Sequence, residues 1–304
     1  MREIILNELR INLKKKSVRS IFFITELLCI LWIIINYNKA NNIFLLGGSY
    51  KDAGLNMFEL GTLFYNYMLY LTTSIYIFPF IILGVIIVKD DIYSKVYLNL
   101  YLVTKNLKRY ISGKLITLII LNILLLFLII ITCGVASYIL PNVKNVELYG
   151  LINIYSVSSF CIYLLGITTL GFFSMGIAYY SRSSMSGALV AIYVLVERIY
   201  TSMSAVSLQN PLLMKINEYL PWCNFNTLFV YASNLEYLTS NLPEEELINQ
   251  ASILTMFKII DYNNTNVAYP FFKAFPIIAL ICILYMALSI IIFYLGVKKS
   301  IKEG

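Results

Sequence analysis

Glu26, Glu197 and Arg198 each interrupt a run of apolar residues long enough to cross a bilayer. A charge near the bilayer centre costs at least about 2.5 kcal/mol on insertion scales, so such a residue is retained for a task. The two tasks open here are lining a polar path and closing an internal ion pair. Neighbouring residues on a helix diverge by about 100°, so Glu197 and Arg198 cannot both pair along one face. One of them could bridge Glu26 or a second copy of the chain while the other meets a water-filled path. None of this is bond-making chemistry. The chain has no His, which removes the commonest general base and metal ligand. Of five Cys, Cys29, Cys133, Cys161 and Cys282 fall in apolar runs and Cys223 stands alone, a spacing that fits neither a disulfide framework nor a metal site. No phosphate-binding G-x-x-x-x-G-K-[ST] occurs, because Gly113-Lys114 has Lys108 where the first Gly is needed. The expectation is a chain without catalytic residues, metal or cofactor of its own.

The elements that hold these residues follow from composition. With 60% hydrophobic and 13% charged residues, a chain of 304 residues is too apolar for an ordinary soluble domain. Six runs qualify as spanning helices, at 21–37, 67–88, 115–140, 156–180, 186–203 and 275–297. Backbone groups in lipid must be satisfied within each segment and no barrel-like alternation is present, so the fold class expected is an all-α integral membrane protein. Sixteen of the 23 Lys and Arg fall before the first run, in 89–114, at Arg182 and after the last run. That partition predicts cytoplasmic N- and C-termini, and it absorbs the net charge of +7 without invoking nucleic acid. The first run follows a basic segment but ends in Asn36-Tyr37-Asn38-Lys39 without a cleavage-site pattern, so it reads as a retained helix.

Between the second and third runs, 89–114 reads as a cytoplasmic amphipathic helix. Ile92, Val96, Leu100, Val103 and Leu107 recur at helical spacing, with Tyr93, Tyr97 and Tyr101 beside them. Asp90 and Asp91 stand at an expected N-cap and first turn, and Lys105, Lys108 and Arg109 at the far end, an order that suits the helix macrodipole. A short membrane loop needs no such helix, which points to a docking surface; the plainer reading is a linker lying on headgroups.

Residues 1–18 read as an interfacial helix, with Ile5, Leu6, Leu9 and Leu13 on one side. Pro79 and Gly84 predict a kink in the second span, Pro141-Asn142 a short external turn, and 181–184 a brief cytoplasmic one. The external region 204–273 begins with Pro211, Pro221, Trp222 and Phe225 in a pattern suited to re-entrant or interfacial helices. It continues with an acidic-capped amphipathic stretch at 243–260. The Asn, Ile, Lys and Tyr bias suggests an AT-rich bacterial genome, so Asn263-Asn264-Thr265 is read as an accidental sequon and the expected site is a bacterial plasma membrane.

Taken in order, the interfacial helix, six spans with both ends inside, a coupling-type helix ending in Lys114 and a packed segment between the fifth and sixth spans resemble the permease subunit of a type-2 ATP-binding-cassette exporter. The resemblance covers the whole chain and rests on architecture. Where many members carry a small residue and a Pro, this chain has Ser94-Lys95 and Thr104-Lys105. The resemblance implies a dimer, here of two identical copies, bound to two copies of a separate ATPase that carries the ATP and Mg. It implies contact through the coupling helix, where Asp90, Asp91, Ile92, Tyr93, Val96, Tyr97 and Leu100 fall. By analogy with small stand-alone permeases, the substrate expected is an amphipathic peptide, a toxin or antimicrobial, moved outward. Lipid or drug export is the alternative within transport, and a membrane sensor or assembly protein the alternative outside it.

Overall fold

The computed structural model describes residues 2–45, 77–94, 107–139, 154–206, 220, 224–225 and 271–302. The described residues form seven α-helices and no strand: α1 (Arg2–Lys14), α2 (Lys16–Leu45), α3 (Phe78–Ser94), α4 (Leu107–Ile139), α5 (Ile154–Ser181), α6 (Ser184–Val206) and α7 (Phe271–Lys302). Within α2, α4, α5 and α7, four stretches are long and apolar enough to cross a membrane: Lys16–Ile35, Leu107–Ala136, Phe160–Ser181 and Ala279–Lys302. α6 contributes a shorter apolar stretch, Ser184–Glu197. These helices outrun the expected spans at one or both ends, because basic and polar residues such as Lys16, Lys108 and Lys302 continue the backbone ladder beyond the apolar run.

α5 is the central helix, packed on α7, α3, α6 and α4, while α2 and α1 lie against α4. The α5–α7 contact is close because both helices offer glycine: a Cβ on Gly176 would fall 2.8 Å from the Phe293 amide nitrogen, and one on Gly296 2.8 Å from the Gly176 carbonyl oxygen. Side chains between the helices form two apolar clusters. One gathers Cys29, Trp32, Phe80, Leu125, Ile167 and Val194, and the other Val18, Leu83, Ile87, Leu121, Tyr179 and Phe293. Phe225, from the stretch read as re-entrant, is buried in the first cluster. The outward faces stay apolar: Phe23, Leu27, Ile34, Phe127, Ile131 and Leu288 are each more than 39% exposed. Contiguous apolar surface of this kind is stable against lipid and costly in water.

Pro79 falls in the first turn of α3 as described, where its missing N–H is tolerated, and 67–76, on which the expected kink depends, lie outside the described residues. One expectation is corrected. Asp90 and Asp91 do not start a new helix, because α3 runs through them to Ser94, and Lys108 and Arg109 fall in the first turn of α4. Acids therefore stand at a helix C-terminus and bases at an N-terminus, opposite to the arrangement the macrodipole favours. Ion pairs between helices offset this cost.

The α5–α6 turn closes with Ser183 N–H donating to the Ala178 carbonyl (3.0 Å) and Arg182 N–H to that of Tyr179 (3.2 Å), a Schellman pattern with Arg182 at φ 55°. Lys299 Nζ lies 4.1 Å over the Tyr180 ring and 3.4 Å from its carbonyl oxygen, and Ser300 Oγ donates to the Tyr179 carbonyl at 3.0 Å. The end of α7 thereby caps the end of α5.

Candidate functional site: a buried charge node

The bases of four helices meet at Lys114. This residue of α4 is 2% exposed, yet its ammonium lies 2.5 Å from Asp91 Oδ2 on α3 and 2.7 Å from Glu8 Oε2 on α1. Tyr110, one turn earlier on α4, donates its hydroxyl proton to the same Asp91 oxygen at 2.6 Å. The Tyr179 hydroxyl of α5 hydrogen-bonds to the Tyr110 hydroxyl and, since that proton is already given to Asp91, acts as the donor. Asn12, one turn after Glu8, is fully buried and donates to the Glu8 carbonyl at 2.9 Å, with the Glu8 carboxylate 3.4 Å away. At the rim, Lys15 pairs with Asp90 at 3.0 Å. A buried ammonium is tolerated where paired and hydrogen-bonded carboxylates replace its water, and Lys114 has two.

The node fixes which helix ends share one end of the bundle. Lys15–Asp90, Glu8–Lys114, Tyr110–Tyr179, Tyr93–Ser184 and Ser300–Tyr179 tie together the end of α1, the end of α3, the start of α4, the end of α5, the start of α6 and the end of α7. Lys14, Lys16, Arg19, Lys89, Lys108, Arg109, Arg182, Lys298 and Lys302 are exposed at that same end.

The residues singled out from sequence separate here. Asp90 is exposed and holds Lys15, whereas Asp91 is buried in the node. Ile92 is half-buried against the second apolar cluster, and Tyr93 is 64% exposed with its hydroxyl 3.2 Å from Ser184 Oγ. Val96, Tyr97 and Leu100 lie outside the described residues. Glu26 on α2 accepts a bond from Thr132 Oγ1 of α4 at 2.5 Å, and its other oxygen is buried without a hydrogen-bond partner among the described residues. One turn along, Cys29 Sγ and Cys133 Sγ are 4.0 Å apart. Glu197 is 3% exposed and bonded to Tyr193 of its own helix, with Tyr285 of α7 close by. Glu26 and Glu197 thus have different neighbours. Arg198 lies on α6, and its side chain is outside the described set.

The sequence alone assigns no role to Glu8, Asn12, Tyr110 or Tyr179, and places Lys114 only at the end of the coupling-type helix. A signal was present: Glu8 and Asn12, and likewise Tyr110 and Lys114, are polar pairs at i, i+4 beside apolar rows, the spacing that puts both on one helix face.

Among the described residues no group of three or more His, Cys, Asp or Glu is placed to hold a metal ion. No protein-family model, curated protein or solved structure matches the chain.

Proposed function

We propose that the chain is the membrane subunit of an ATP-driven exporter of the type-2 ATP-binding-cassette kind. It works as a homodimer of six-span protomers with cytoplasmic termini in a bacterial plasma membrane. Two copies of a separate ATPase, which hold ATP and Mg, dock on the cytoplasmic side at 89–114, and the substrate is an amphipathic peptide moved outward. The observation that carries this reading is the charge node. Any stretch that passes force from a partner to a bundle must be anchored on both flanks, and 95–106 runs from the end of α3 to the start of α4. Asp91 on one flank and Lys114 on the other are bonded to each other, and Tyr179 extends that bond to the central helix. A push on either flank is delivered to α3, α4 and α5 together, because packed helices move as units between discrete arrangements. Four helices long and apolar enough to cross a membrane, with basic residues exposed at the node's end, support the same reading.

The test is co-expression with an ATPase subunit carrying the G-x-x-x-x-G-K-[ST] loop, purification through a tag on the membrane chain, and assay of ATP turnover with added cationic amphipathic peptide. A stoichiometric complex whose turnover rises with peptide is expected. A chain that purifies without the ATPase, or a complex indifferent to peptide and to lipid alike, overturns the proposal.

A further inference from the structure

α1 does not sit on the bundle as an amphipathic anchor ordinarily would. Leu6, Ile11 and Leu13 are 53%, 56% and 39% exposed and point outward, while the inward face carries Glu8 and Asn12 with Ile5 and Leu9, and half-buried Lys15 follows just past its end. Its outward leucines can contact lipid whether or not the helix is docked, so the apolar part of docking is limited to the inward side, where Leu9 packs on the second cluster. The polar bonds add to that contact and go to specific places: Glu8 to Lys114 in the second turn of α4, and Lys15 to Asp90 in the penultimate turn of α3. We infer that α1 is a charge-held clamp in which Glu8 and Lys15 act as positioning residues, fixing the separation between the end of α3 and the start of α4.

The arrangement of charge allows the clamp to open without unfolding the node. Lys114 has two carboxylates, so when Glu8 leaves, the ammonium still has Asp91, and Asp91 still has the Tyr110 hydroxyl. A simple structural pair would leave a buried charge uncompensated; this one returns to a balanced pair. The helical ladder is interrupted at Lys15 between α1 and α2, where the Lys15 N–H bonds the Asn12 carbonyl in a single turn (3.0 Å), and that junction is the place at which α1 can swing.

This goes beyond the transport reading and adds a control point on its docking flanks, but its test needs no ATPase. Spin labels are placed at exposed positions of the purified full chain, with Cys161 and Cys223 replaced, as the pairs Asn7→Cys with Lys108→Cys and Lys89→Cys with Lys108→Cys. Pulsed dipolar distances are read for wild type, Glu8→Gln, Lys15→Asp and the Lys15→Asp, Asp90→Lys exchange. Release of α1 in Glu8→Gln, seen as a second, longer population for the first label pair, is expected to shift the second pair as well, with the melting transition of the bundle retained. Lys15→Asp should broaden both distributions, and the charge exchange should restore them, a rescue that packing alone would not give. Because Lys15 and Asp90 are at the rim, that exchange remains informative if Glu8→Gln fails to fold. An unchanged α3–α4 distance on release of α1, or an α1 that stays docked in both single variants, overturns the inference. A complex that never binds an ATPase would count against the transport reading and leave the distance result standing.

Discussion

Lys114 Nζ and Asp91 Oδ2 are 2.5 Å apart on two different helices, and Glu8 of a third helix approaches the same ammonium. The consequence is an asymmetry between the partners. Lys114→Met leaves buried Asp91 and half-buried Glu8 without their cation and should destabilise the bundle by roughly 3–5 kcal/mol. Asp91→Asn keeps Glu8 on the ammonium and should cost clearly less. Thermal unfolding in detergent checks the ranking; equal losses would mean that Glu8 contributes nothing.

A second prediction concerns the α5–α7 contact. Gly176→Ala sets a methyl 2.8 Å from the Phe293 backbone nitrogen, which cannot step aside as a side chain can, and should cost about 1–3 kcal/mol. Gly134, on α4, has nothing within 4 Å of the same position. Gly134→Ala should therefore gain up to about 1 kcal/mol from helix propensity. Melting temperatures that move in opposite directions are the expected result.

Asn122 offers a third. Its side chain is fully buried on α4 and neither its oxygen nor its nitrogen has a hydrogen-bond partner among the described residues. Leu keeps the branch at Cγ and has no polar atoms to satisfy but is larger, so Asn122→Leu should stabilise the purified protein by about 1–3 kcal/mol less the cost of packing its added volume. A drop in melting temperature would show that the amide is bound to something that Leu cannot replace.

The all-helical class and the four helices long and apolar enough to cross a membrane were legible in the sequence because apolar length is a local property. What was not legible depended on where helices end. The Asp90-Asp91 pair looked like a helix start because acids favour N-termini, but α3 carries its ladder through them and recovers the cost by pairing with Lys15 and Lys114, 75 and 23 positions away in sequence. The apolar side of α1 was visible as a row, but not that Glu8 and Asn12 on its other side are bonded inside the bundle while Leu6 and Leu13 stay exposed. Glu26 and Glu197 were recognisable as buried charges from their surroundings alone. Their bonding partners, Thr132 and Tyr193, required the structure.

A fourth prediction uses that last pair of acids. Glu197→Gln retains a group that can bond Tyr193 while removing the charge. Stability should hold, and stimulation of ATP turnover by cationic amphipathic peptide should fall. Arg198→Gln and the double change complete the set. If each single change lowers stability and the double restores it, Glu197 and Arg198 belong to structural ion pairing and do not line a path.

The central claim is that a separate ATPase docks through 89–114, and the most direct measurement is the ratio of ATPase to membrane chain after co-purification for wild type and Val96→Asp. A charge placed in an apolar contact should release the ATPase while membrane insertion and the melting transition stay unchanged. Recovery of the ATPase at the wild-type ratio would contradict the account.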